Sequence, residues 1–234
     1  MCRNNHIIKT LLLIILACIP CNSHAQNPIR AGTTAANFLE IGYGTAGCAM
    51  GDAYVSMARD LSSIYWNPAG LAYLNKQQAL FVYQPWFVDT KSMLMSVGYN
   101  IPTFGTIAIS MVGLDYGTMD VTTLAQQEGT GEKFSAVDQS FLISYSRKLA
   151  VSFATGISLK YISSQIWNLK ASAFAFDLGV LIKTSFLAPT INRREGLTIG
   201  MSISNYGTKM SYDGMQLLHP IDILPDEDGN YAYA

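Results

Sequence analysis

The chain has 234 residues, half of them hydrophobic and only 13% charged, with a formal net charge of −1. That charged fraction is about half the share of an ordinary soluble domain, so the apolar content must be hidden in some way other than a water-surrounded core. No basic run marks a nucleic acid as partner, and after the N-terminal leader no unbroken apolar run reaches the length of a spanning helix.

The first residues read as an export leader. Arg3 and Lys9 supply the positive charge, Thr10 to Ile19 an apolar run of about ten residues, and Ser23-His24-Ala25 a small-residue cleavage site. Residues 1–25 are therefore expected to be a signal peptide cut after Ala25. Lipoprotein processing at Cys18 is the alternative, disfavoured by bulky Leu16. Loss of Cys2, Cys18 and Cys21 with the leader leaves Cys48 alone, which excludes a disulfide framework or a cysteine metal cluster. With Arg3 and Lys9 also gone from 15 basic residues, against 16 acidic ones, the formal charge becomes −3.

Residues 26–76 form an N-terminal segment with no strand pattern. Gly42, Gly44 and Gly47 fit a Gly-x-Gly-x-x-Gly spacing, but no good strand precedes them, and the leader argues against a cytosolic nucleotide enzyme. Close backbone packing is the preferred explanation. From Gly51 to Leu74 the sequence predicts a compact helix–turn–helix knot. Asp60 can cap a short helix by accepting from the N–H of Ser62 or Ser63. Asn67, held extended by Pro68, ends that helix; Pro68 opens a second turn, and Gly70 tolerates positive φ soon after.

Residues 77–210 change to a period of two. Met93, Met95, Val97, Tyr99 and Ile101 alternate with Leu94, Ser96, Gly98 and Asn100, and comparable alternations run through 151–161, 173–183 and 197–204. Each approaches the roughly nine to eleven residues with which a tilted strand crosses a bilayer. The polar face is built from Ser, Gly, Thr and Ala rather than Lys and Glu, and tyrosines sit near run ends as in an interfacial girdle. About seven strands are predicted, near 77–84, 92–100, 105–115, 139–147, 151–162, 171–184 and 197–206. Links 101–104 and 148–150 are short, while 85–91, 116–138 and 163–170 are longer, matching short periplasmic turns and long outer loops. The link 185–196 breaks that rule. The knot then lies at the periplasmic side or inside the lumen, as a hatch.

Residues 211–234 read as an acidic tail or loop. A calcium loop there fails on ligand count, since Leu224 falls at the first ligand position. His219 is the only histidine after processing, so no histidine pair exists for a metal or a triad. Asp177 and Lys183 on the inward face of one strand could line a lumen, or are a satisfied pair or rim residues. Asp52, Arg59 and Asp60 are assigned to hatch-fixing hydrogen bonds.

Thr33-Thr34-Ala35-Ala36-Asn37-Phe38-Leu39, Met50-Gly51-Asp52-Ala53-Tyr54-Val55 and Tyr65-Trp66-Asn67-Pro68-Ala69-Gly70-Leu71 resemble the PorV/PorQ family, in the wider FadL-like group of outer-membrane barrels. So do Glu128-Gly129-Thr130-Gly131-Glu132, Ile166-Trp167-Asn168 and the run from Gly200 to Met210. Thr45 to Ala49 departs from the family's usual run, and Cys48 is unusual there. The resemblance implies a transmembrane antiparallel β-barrel of about fourteen strands with a short helical N-terminal hatch. It also implies a component of type IX protein secretion that receives cargo by its C-terminal signal domain. The expected fold class is thus all-β, and seven strands make the chain the N-terminal half of a longer barrel. Open edges in lipid would otherwise cost several kcal/mol per unpaired backbone group, by a rough estimate. The expected partners are outer-membrane lipid, secretion-system proteins and cargo C-terminal domains. No enzymatic activity, catalytic residue, cofactor or metal is expected. The residues singled out are the structural hatch positions Gly51, Asp60, Trp66, Asn67, Pro68, Ala69, Gly70 and Leu71. The alternative function is FadL-like transport of long-chain fatty acids or other hydrophobic compounds.

Overall fold

A computed structural model describes residues 35–188, 196–214, 217, 220–222 and 231–233. The expected leader and most of the acidic tail lie outside these residues. Seven strands follow one another in a single antiparallel meander: β1 Gln78–Pro85, β2 Lys91–Ile101, β3 Gly105–Asp120, β4 Lys133–Ala150, β5 Phe153–Ile166, β6 Leu169–Lys183 and β7 Thr198–Gly207. Pro220–Asp222 (β8) and Tyr231–Tyr233 (β9) pair separately within the stretch expected to be a tail. Among the described residues β1 and β7 each have one neighbour, so the sheet is open.

The period of two translates directly into two faces. In one cross-strand row Val97 faces Ile109, Ile109 faces Ile143, Ile143 faces Leu159 and Leu159 faces Phe176. The first four side chains in this row are about 60% exposed. One residue along, the other face is buried. There Ser96 Oγ lies 2.7 Å from Ser110 Oγ across the strands, and Ser144 Oγ lies 2.6 Å from Ser158 Oγ. Large apolar side chains therefore point outward and small hydroxyls inward, the reverse of a soluble sandwich.

The strands are longer than the sequence alone predicts, and this corrects the links. β3 and β4 run on to Asp120 and back from Lys133, so the predicted loop 116–138 contracts to 121–132. The link expected at 163–170 is a two-residue turn, Trp167-Asn168, with Trp167 at φ 53. The strict alternation of short and long links does not hold. Polar residues such as Thr118, Lys133 and Ser135 pair in the ladder beyond the apolar stretch, where hydropathy gives no signal.

The buried face is covered by residues 36–74. A 3₁₀ turn at Asn37–Glu40, helix α1 at Thr45–Ala49, helix α2 at Ser63–Trp66 and a 3₁₀ helix at Pro68–Tyr73 make up this segment. Its first part packs Phe38, Leu39 and Tyr43 against Leu94, Val112, Leu114, Leu142 and Ile162. The inner face is thus small and polar only in part; beneath these aromatic and aliphatic residues it is itself apolar. Further on, Leu61, Ile64, Leu71 and Leu74 pack with Ala108, and Ala69 and Ala72 with Ala154 and Leu181.

The sheet must curl round this segment. A Cβ on Gly200 of β7 would touch Ser56, and one on Gly98 of β2 would touch Leu61. Five strand spacings on a flat sheet span about 24 Å, whereas the five Cα-to-Cα steps from Ser56 to Leu61 reach about 18 Å fully stretched. The chain there is folded into a turn, with Ala58 N–H donating to the Tyr54 carbonyl. Only a strongly curved sheet brings both strands into contact with it.

A candidate hatch seated on a glycine pair

The predicted knot forms as two short helices broken at Asn67. The Asp60 carboxylate accepts the Ser62 N–H at 3.0 Å, fixing the turn that leads into α2. Asn67 has φ −162, so α2 stops there, and Pro68 occupies the first position of the 3₁₀ helix. The Asn67 side chain is fully buried and has partners for its amide groups. Its Oδ1 accepts the Ala69 N–H at 3.0 Å, while Nδ2 donates to the carbonyls of Val55 at 3.0 Å, Val180 at 3.2 Å and Met201 at 3.5 Å. One side chain thereby ties the hatch to itself and to β6 and β7.

Gly70 corrects the sequence-based expectation. Its φ is not positive; it sits inside the 3₁₀ helix. A Cβ there would stand 2.2 Å from the Ala58 carbonyl oxygen and 2.6 Å from Ser63 Cβ, so glycine is required by close approach of backbone. Gly51 does adopt φ 61, in an exposed turn with nothing near a would-be Cβ, and lies apart from the Asn67 contacts. Leu71 and Ala69 are buried.

Trp66 crowds two glycines of the Gly42–Gly47 run, while Gly44 takes φ 92. A Cβ on Gly47 would fall 2.5 Å from the indole, and one on Gly42 3.1 Å from it. Indole Nε1 donates to the Tyr43 carbonyl at 2.9 Å. Tyr43, Tyr65 and Trp66 stack edge to face with centroids 5.0–5.2 Å apart. Burial raises the Tyr43 phenol above its ordinary 10.0, against a lowering by its bond with Ser92. Burial also raises Tyr65, helped by neighbouring Tyr43 and Asp52, so both phenols remain neutral hydrogen-bonding groups.

The seat itself lies on the sheet, in residues that sequence reasoning assigned only to a polar lumen lining. Gly156 of β5 and Gly179 of β6 are register partners. A Cβ on Gly156 would stand 2.4 Å from the Pro68 carbonyl carbon, and one on Gly179 2.1 Å from Asn67 Oδ1. The pair forms a bare patch of backbone onto which Asn67-Pro68-Ala69 docks. Ser146 Oγ borders it, its one proton directed between the Ala69 carbonyl at 3.2 Å and the Thr155 carbonyl at 2.9 Å. Glycine on the inward face of adjacent strands was the available signal, but cross-strand register is needed to bring the two together.

Asp177 and Lys183 are not a pair. Lys160 Nζ lies 2.8 Å from Asp177 Oδ2, with both side chains almost wholly buried. Asp177 Oδ1 accepts the Asn205 N–H at 2.7 Å, and Lys160 donates to Asn205 Oδ1 at 2.6 Å. The carboxylate thus stands in for a strand carbonyl where the β6–β7 register shifts, and Asn205 takes φ 58 there. Lys183 instead lies over the ring of Tyr73. Among the described residues no group of three or more His, Cys, Asp or Glu side chains is placed to hold a metal. The site's visible chemistry is fixation of one segment against a curved wall.

A family model described as type IX secretion system protein PorV matches residues 23–221. No curated protein matches the chain in a sequence search.

Proposed function

Because the chain belongs to the PorV family of type IX secretion system proteins, we propose that it acts as a non-enzymatic outer-membrane component that receives secreted cargo by its C-terminal signal domain. On this reading the leader exports the chain, the outward face meets lipid, and further strands close the open sheet into a barrel. The observation that carries the membrane part is the exposed row from Val97 to Leu159. A contiguous exposed apolar row of this kind marks a surface that meets lipid or a partner rather than water.

The well-anchored hatch supports a scaffold rather than a conduit. The cavity beside it, about 410 Å³, has Glu40, Lys160 and Asn205 among its lining as well as Leu39 and Trp66, a mixed surface poorly suited to an acyl chain. Fatty-acid transport is therefore the second choice. Immobilised protein incubated with purified cargo C-terminal domains is expected to retain them, and not the same cargo with that domain deleted. Lipid uptake lost with normal secretion in a deletion strain would overturn this assignment.

A further inference from the structure

We propose that Tyr73, Lys148, Lys183 and Arg59 form a binding site for a single oxyanion, a phosphate or carboxylate, inside the end of the sheet at which β1 begins. Lys183 Nζ lies 4.0 Å from the Tyr73 ring centre, Lys148 Nζ 4.4 Å and the Arg59 guanidinium carbon 5.8 Å. The three cations come from three separate elements. Lys148 is near the end of β4, Lys183 ends β6, and Arg59 belongs to the hatch and is held to β7 by a 3.0 Å bond to Thr198. Lys148 and Lys183 continue the inward parity of Ser144, Ser146 and Leu181, so both belong to the inner face rather than the lipid face.

Among the described residues none of the three cations forms an ion pair; the pairs present are Lys133–Asp120 and Lys160–Asp177. One aromatic ring offers partial compensation to a cation over its face, but like charges gathered at one ring repel, and the fold gathers three. The Tyr73 hydroxyl takes no part, and only the ring face meets the cations. An oxyanion supplies the negative charge that the cations lack. Charge-assisted bonds of about 2.8 Å from both ammoniums to different oxygens let one anion bridge them. A cleft of about 340 Å³ shares Lys148 with the cluster and is lined also by Asn75, Asn100, Thr103 and Arg147, with no acidic residue in its lining. The inference rests on this geometry and stands apart from the secretion assignment.

The test uses the full chain folded in a maltoside detergent, titrated with inorganic phosphate and followed by phosphorus NMR line broadening. Saturable broadening is expected, weakened at least ten-fold in the double variant Lys148→Gln/Lys183→Gln and less in either single variant. Retained heat-modifiable migration certifies that each variant is folded. Acetate is expected to compete. The two sources separate in nanodiscs: a lipid headgroup as occupant makes phosphatidylglycerol suppress phosphate binding relative to phosphatidylcholine, and a soluble anion leaves the two equal. Absence of saturable broadening, or equal broadening by wild type and folded double variant, would overturn the proposal.

Discussion

The smallest decisive features are hydrogen atoms in place of methyl groups. Gly156 and Gly179 have no need of unusual backbone angles, since neither has positive φ; what they provide is room. Gly179→Ala is expected to destabilise the folded protein by at least about 1–3 kcal/mol, the range for forcing atoms into a packed site, because the new Cβ meets Asn67 Oδ1 and leaves that buried amide badly paired. Gly51→Ala serves as the reference, costing about 1–2 kcal/mol through left-handed backbone alone and leaving the hatch seated. Urea unfolding in detergent gives the magnitudes, and limited proteolysis within residues 36–74 separates the cases. Protection of the hatch in Gly179→Ala equal to that in Gly51→Ala would mean the glycine seat is dispensable.

At the scale of elements, the question is what holds the last described strand in place. β7 joins β6 through a shifted register, and the Lys160–Asp177–Asn205 group sits at the shift. Removing one member of a buried ion pair strands the other, at a cost of about 3–5 kcal/mol, whereas replacing both by apolar groups of similar size is often neutral. Lys160→Met is therefore expected to be strongly destabilising, and Lys160→Met/Asp177→Leu to recover part of the loss. Recovery should be incomplete, since the Asn205 N–H also loses its acceptor. A double variant as unstable as the sum of its singles would remove the ion pair from this account. The helix breaks at Asn67 and Pro68 were legible in the sequence because proline and its predecessor constrain backbone locally. The partner of Asp177 was not legible: Lys160 and Asp177 lie on neighbouring strands, and only their pairing register decides that Lys160, rather than Lys183, comes within reach.

For the whole molecule, the alternation of residue types was enough to separate the two faces and to count the strands of the sheet, since a period of two needs no partner to be recognised. It failed at strand ends, where Thr118, Ser135 and Gln165 pair by backbone alone. It also missed the full size of the hatch, because the packing of Phe38 and Tyr43 against Leu94 and Leu142 leaves no local periodicity. The outward face makes the membrane assignment testable. Ile143→Arg is expected to cost about 2–4 kcal/mol of folding free energy in a bilayer, the range for a cation at mid-depth on a lipid-facing strand, and far less in a lipid-free setting. Equal effects in vesicles and in a lipid-free setting would show that lipid does not cover this row.

The open sheet carries one more implication, a matter of parity. Seven strands that reverse direction at every step begin and end pointing the same way, so β1 and β7 are co-directional. A second copy turned about the barrel axis would set β7 beside a β1 running the same way, creating two parallel seams in an otherwise antiparallel wall. A cylinder with no such seam forms only if the completing strands are odd in number.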